Sequence, residues 1–109
     1  MEARLFLLQR LSAAVMAPLV LIHLGLILYA VDTGLSAEAI LGRTRGSVLW
    51  GIYYGVFVLA AAVHAPIGLR AVLREWLHWH GRSADLVLGL FGFGLLALGL
   101  RAVYAVVLP

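Results

Sequence analysis

Three long apolar runs dominate the sequence, and they constrain the fold more than any other feature. They cover residues 11–31, 46–69 and 86–108, and the only charged residue within them is Arg101 in the third run. A bilayer core is crossed by about 20 apolar residues in a helix, and an arginine near a helix end can extend to the interface. The sequence therefore predicts an all-α membrane protein with three transmembrane helices, at about 11–31, 48–73 and 84–107.

The composition also favours lipid as the solvent. Of 109 residues, 64% are hydrophobic and 12% are charged, whereas soluble domains average about 45–50% and about 25%. We expect a single domain over residues 1–109. All eight basic residues are arginines that mostly flank the apolar runs, which indicates membrane topology and not a nucleic-acid interface. Without cysteine, this chain alone offers no disulfide, zinc thiolate site or cysteine-ligated iron–sulfur cluster.

The distribution of arginines predicts an orientation. Arg4 and Arg10 precede the first run, and three more arginines surround the loop after the second run, whereas charges of both signs cancel in segment 32–47. By the positive-inside rule, the N-terminus and the 74–83 loop are cytoplasmic and the C-terminus lies outside. The first apolar run is too long for a cleavable signal peptide. We expect the inner membrane of a bacterium, because the N-terminal segment is short and carries no targeting pattern.

A histidine lies inside the second run, in the stretch AAAVHAPIGLR. An ionisable residue at this depth is a functional hypothesis by default. Helical neighbours of His64 include Ala60, Ala61, Gly68 and Ala71, and all four are small. A flat macrocycle ligated by His64 needs such clearance, and imidazole is a common axial ligand of haem iron. Close helix packing around a hydrogen-bonded histidine explains the same spacing, so both interpretations stay open.

Two charged residues, Glu75 and Arg10, are further candidates for a functional role. Glu75 returns to the face of His64 eleven residues later, and Trp76 follows it. Arg10 begins the first helix on the same side of the membrane, and its guanidinium suits a carboxylate, a quinone oxygen or a haem propionate. Simpler roles are a solvated charge for Glu75, helix orientation or headgroup binding for Arg10, and a bond back to the helix backbone for Ser12.

His23, in the first run, has a different environment. Its helical neighbours Leu19, Val20, Leu26 and Ile27 are bulky. It also projects about 140° away from Arg10 on an ideal helix. We therefore expect an interhelical hydrogen bond for His23, with ligation of a second haem as the alternative.

Two motifs resemble the membrane anchor, or cytochrome b, subunits of the succinate dehydrogenase and fumarate reductase family. The stretch Gln9-Arg10-Leu11-Ser12-Ala13, with Pro18-Leu19 after it, resembles the first helix of these anchors. His64, with Gly68 four residues later and then Glu75 and Trp76, resembles their second helix. The three-helix layout with the N-terminus inside agrees along the whole chain.

The resemblance implies a non-catalytic subunit of a succinate:quinone oxidoreductase, respiratory complex II. It implies that His64 ligates haem b beside Gly68, and that Arg10 meets a haem propionate. A quinone, either ubiquinone or menaquinone, would lie near Arg10, Ser12, Glu75 and Trp76. The family more usually has aspartate and tyrosine at the last two positions.

The resemblance also implies the partners. They are a second anchor subunit or a second copy of this chain, an iron–sulfur subunit and a flavoprotein subunit, with the helices joined in a heteromeric bundle. Two alternatives remain open. One is a haem-free anchor of the same complex type, and the other is a structural helical partner in another membrane complex.

Overall fold

Four helices make up the computed structural model, which describes residues 3–108. They are α1 Ala3–Thr33, α2 Ala37–Thr44, α3 Val48–Trp76 and α4 Arg82–Val107. Helices α1, α3 and α4 are each long and apolar enough to cross a membrane. The predicted all-α class with three transmembrane helices is confirmed. Residues 1, 2 and 109 of the predicted domain lie outside the described residues.

Helix α1 begins earlier than the apolar run that predicted it. Residues 3–10 are its first turns, although the sequence predicted that the first transmembrane helix begins at about residue 11. Intrahelical hydrogen bonding does not stop where the hydrocarbon core ends, because a helix satisfies its own backbone in lipid and in the headgroup region alike. Hydropathy therefore finds the buried part of such a helix and misses its polar extension.

Helix α2 lies in segment 32–47, where the sequence indicated only a loop. The Ser36 hydroxyl accepts a hydrogen bond from the Ala39 amide at 3.1 Å and so caps the N-terminus of this helix. At the other end, the Thr44 hydroxyl donates to the Val106 carbonyl at 2.6 Å. The Gly46 amide donates to the carbonyl of the next α4 residue, also at 2.6 Å. These bonds hold α2 against the C-terminal end of α4.

Helix α3 occupies the middle of the bundle, with α1 on one side and α4 on the other. It approaches α4 closely at two glycines. A Cβ atom added at Gly99 would lie 2.5 Å from Cγ1 of Val58, and one added at Gly92 would lie 2.9 Å from Cγ of Pro66. Small residues allow membrane helices to approach each other in this way. We therefore attribute the α3·α4 interface mainly to close packing.

The outer surface of the bundle is strongly apolar. Leu21, Leu28 and Phe93 are 69%, 63% and 71% exposed. Contiguous apolar surface of this kind marks contact with a membrane or with a partner protein. One end of the bundle differs, because it collects the N-terminal part of α1 and the turn between α3 and α4. We call it the arginine-rich end, after Arg4, Arg10, Arg70, Arg74 and Arg82.

Candidate functional site

A hydrogen bond between two membrane-spanning helices joins Ser12 of α1 to His64 of α3. The Ser12 Oγ and His64 Nδ1 atoms are 3.1 Å apart. Ser12 is 7% exposed, and its hydroxyl also donates to the Gln9 carbonyl at 3.1 Å. The bond back to the helix backbone is therefore present, but the same oxygen also contacts the histidine. One imidazole nitrogen is thus held within the protein, and Nε2 lies at the opposite side of the ring.

The Gln9 side chain lies over Gly68, one helical turn beyond His64. A Cβ atom at Gly68 would be 3.2 Å from Nε2 of Gln9. The Oε1 atom of Gln9 is buried and has no hydrogen-bond partner among residues 3–108. Part of the small-residue face of α3 therefore accommodates a polar side chain of α1. The sequence suggested clearance for a macrocycle there, and at Gly68 the structure shows a close interhelical contact.

These two contacts define the antiparallel register of α1 and α3. Ser12 is level with His64, and Gln9 is level with Gly68. Arg10 is therefore level with the turn of α3 between His64 and Gly68. Glu75 lies about 12 Å nearer the arginine-rich end than the level of Arg10, since a helix rises about 1.5 Å per residue. In depth, Arg10 falls between the histidine and the carboxylate.

Arg10 lies on the outer face of α1. Its side chain is exposed, and its guanidinium carbon is 5.7 Å from the centroid of the Phe6 ring. A cation over an aromatic face is weakly attracted to it. A ligand of Arg10 would therefore lie at the outside of this chain, where lipid or a partner subunit covers the helix.

Glu75 lines a groove at the arginine-rich end of α3. The groove has a volume of about 380 Å³, and its lining side chains are Ile67, Arg70, Ala71, Arg74, Glu75 and His78. Two of the other lining residues, Arg70 and Arg74, are cationic. Arg70 is itself held by Asp85 of α4 through an ion pair of 3.2 Å. Trp76 ends α3 beside this groove and is 78% exposed.

His23 lies in a different setting, toward the α2 end of the bundle. Its ring meets Tyr54 and Phe57 edge to face, with centroid separations of 6.1 and 5.4 Å. It borders two apolar cavities of about 340 Å³ each. Within residues 3–108 the imidazole has aromatic neighbours and no hydrogen-bond partner.

Three features of the α3 interfaces were not predicted as functional or structural sites. One is the buried Gln9 amide, and another is the Arg70–Asp85 ion pair. The third is the Tyr53 hydroxyl, which donates to the Leu19 carbonyl of α1 at 2.6 Å. Opposite charges on either side of a short loop are a sequence signal for the ion pair. The other two depend on the register between helices, which one sequence does not reveal.

A family model described as "Succinate dehydrogenase/Fumarate reductase transmembrane subunit" matches residues 1–100. The match includes α1, α2, α3 and most of α4. Neither the comparison with curated proteins nor the comparison with solved structures found a significant match.

Proposed function

The chain belongs to the succinate dehydrogenase/fumarate reductase transmembrane subunit family, and from this premise we propose that it is a haem b-ligating, quinone-binding membrane anchor of respiratory complex II. A transmembrane subunit of this family associates with the membrane and with the other subunits of its complex. In our proposal those are a flavoprotein, an iron–sulfur subunit and a second anchor or second copy. We further propose that the N-terminus faces the cytoplasm of a bacterium.

The contact between Ser12 and His64 carries the haem part of the proposal. In our proposal His64 supplies one ligand of the haem iron, because imidazole is a common protein ligand of haem, and a partner chain supplies the other. His64 lies near the middle of α3, and a hydrogen bond restrains its Nδ1 atom. Metal-ligating histidines usually have their second ring nitrogen restrained in this way. The residues present therefore fit a haem ligand at Nε2.

The chain's own residues have distinct roles around this position. His64 would hold the haem iron together with a residue of a partner chain. Arg10, which lies nearer the arginine-rich end than His64, would pair with a haem propionate or a quinone oxygen. The haem, when bound, supplies a one-electron store close to the quinone site.

The groove beside Glu75 supports a quinone site at the arginine-rich end. A quinone dissolves in lipid whereas succinate does not, so the anchor must bring a lipid-accessible pocket close to the soluble electron donor. Glu75 would accept or deliver protons there, and exposed Trp76 would border the ring and donate a hydrogen bond through its indole nitrogen. The quinone contact of Ser12 stays a prediction. In this chain the Ser12 hydroxyl contacts the Gln9 carbonyl and Nδ1 of His64.

Purification of the intact complex through this chain tests the proposal. We expect a flavoprotein and an iron–sulfur subunit to copurify, together with succinate:quinone reductase activity and a b-type α band after dithionite reduction. Copurification and activity without the band would support the haem-free anchor. Copurification of unrelated membrane proteins without succinate oxidation would contradict the anchor function itself.

A further inference from the structure

The Ser12 hydroxyl has two neighbours and only one proton. Its oxygen is 3.1 Å from the Gln9 carbonyl and 3.1 Å from Nδ1 of His64. A carbonyl only accepts, so its bond with Ser12 uses the hydroxyl proton. When the hydroxyl donates to this carbonyl, the Ser12 oxygen accepts from the imidazole, which places the ring proton on Nδ1. A neutral histidine protonated at Nδ1 has its free lone pair on Nε2.

We propose that Ser12 is a positioning residue that holds His64 in the Nδ1-protonated tautomer and thereby presents Nε2 as a ligand. This inference rests on the proposed function, because it assigns a role in haem binding. The reverse arrangement has the hydroxyl donating to Nδ1. That arrangement places the ring proton on Nε2 and removes the lone pair that iron requires. Ligation by Nε2 is therefore compatible with only one direction of the Ser12–His64 bond.

Burial makes this bond suitable for positioning. Ser12 is 7% exposed, so water competes little for its hydroxyl. The Gln9 carbonyl that receives the hydroxyl proton belongs to the same helix, three residues earlier, so this bond forms within α1 alone. The Gln9 side chain also lies against Gly68, one turn from His64. The imidazole is thus aligned by α1 before any cofactor binds.

The bond also has an electronic consequence for the ligand. When a histidine donates its second N–H to an acceptor, the ligating nitrogen becomes more basic. A more basic ligand stabilises ferric over ferrous iron and so lowers the midpoint potential. Replacing Ser12 with alanine should reverse this effect.

The test is a potentiometric measurement on the intact complex, for wild type and three variants. Ser12→Ala removes the acceptor, whereas Ser12→Thr keeps a hydroxyl. Tyr53→Phe is the matched control, because it removes another α1·α3 hydrogen bond, to the Leu19 carbonyl, without contacting His64. For Ser12→Ala we expect the midpoint potential of the haem to rise by up to about 59 mV. For one electron, this is about a tenfold increase in the preference for ferrous over ferric iron. Ser12→Thr and Tyr53→Phe should stay near wild type.

Each outcome decides the inference. Loss of haem from Ser12→Ala, with haem retained in Ser12→Thr and Tyr53→Phe, would support positioning as strongly as the shift. A wild-type potential in Ser12→Ala at full haem occupancy would overturn it and leave the proposed function intact. An equal shift in Tyr53→Phe would overturn it too, since general loosening of the interface would then be the cause. Absence of haem from the wild-type complex would overturn the haem proposal and this inference together.

Discussion

Within the bundle, helix α3 contacts α4 mainly through closely packed glycines and contacts α1 through polar side chains, while the Arg70–Asp85 ion pair joins α3 to α4 at the arginine-rich end. On the α4 side, Gly92 and Gly99 leave no space for a Cβ atom. On the α1 side, Ser12 meets His64 and the Tyr53 hydroxyl bonds to the α1 backbone. The α4 side is a packing surface that a single methyl group would disturb. The α1 side contains the groups to which we assign cofactor binding.

The largest change in stability should come from the packing surface. Gly99→Ala would place its Cβ atom 2.5 Å from Cγ1 of Val58. Overpacking of this kind costs about 1–3 kcal/mol, which should lower the thermal stability of the purified complex. Adding Val58→Ala should recover most of the loss by removing the opposing methyl groups. Gly89→Ala is the matched control, because nothing lies within 4 Å of its added Cβ atom. Equal stability of the Gly99 and Gly89 variants would contradict the close α3·α4 approach.

The largest change in activity should come from Glu75, which lies on the same face of α3 as His64, at the arginine-rich end. Glu75→Gln keeps the size of the side chain and removes its charge. A hydrogen bond to a charged group contributes about 1.5–3 kcal/mol, so we expect quinone-dependent succinate oxidation to fall about tenfold or more. Succinate oxidation with a soluble dye should be unchanged. Glu38→Gln serves as the control, because Glu38 is an exposed residue of α2 at the opposite end of the bundle. Unaltered quinone reduction in the Glu75 variant would remove it from the proposed site.

A variant of His23 tests whether this second membrane-embedded histidine also ligates a haem. His23→Ala removes two edge-to-face contacts, each worth about 0.5–1.5 kcal/mol. We expect a modest loss of thermal stability with full haem content in the reduced-minus-oxidised spectrum. Loss of one spectral component would instead identify His23 as the ligand of a second haem.

The smallest effect should come from Tyr53→Phe. Hydrogen bonds between membrane helices contribute about 0.6 kcal/mol on average. We therefore expect a slight decrease in melting temperature and unchanged quinone reduction. A large loss of either would mean that this bond to the Leu19 carbonyl has a greater role than helix packing.

The three membrane-spanning helices could be predicted because an apolar run of that length has few alternative structures. Helix α2 could not be predicted, because eight residues of mixed charge carry a weak periodic signal. The Ser36 N-cap is a usable cue only in retrospect, since serines are equally common in loops.

The site was only partly predictable, for a geometric reason. Small residues around His64 indicated the face of α3 that contacts α1 at Ser12, but they did not show that Gln9 approaches Gly68 there. The bond between Ser12 and His64 depends on the relative register of two helices. A one-residue shift in that register changes the partners without changing any hydropathy signal. The second anchor chain that would complete a haem site lies beyond this sequence altogether.

The central claim, that His64 is an axial ligand, is tested most directly by a dithionite-reduced minus oxidised spectrum. It should be recorded on the complex purified through this chain, for wild type beside His64→Ala. The account predicts a b-type α band in the wild type and its loss in the variant, with the partner subunits still bound. A full α band in the variant would contradict it, and His64 would then be a hydrogen-bonded structural residue of the α1·α3 interface.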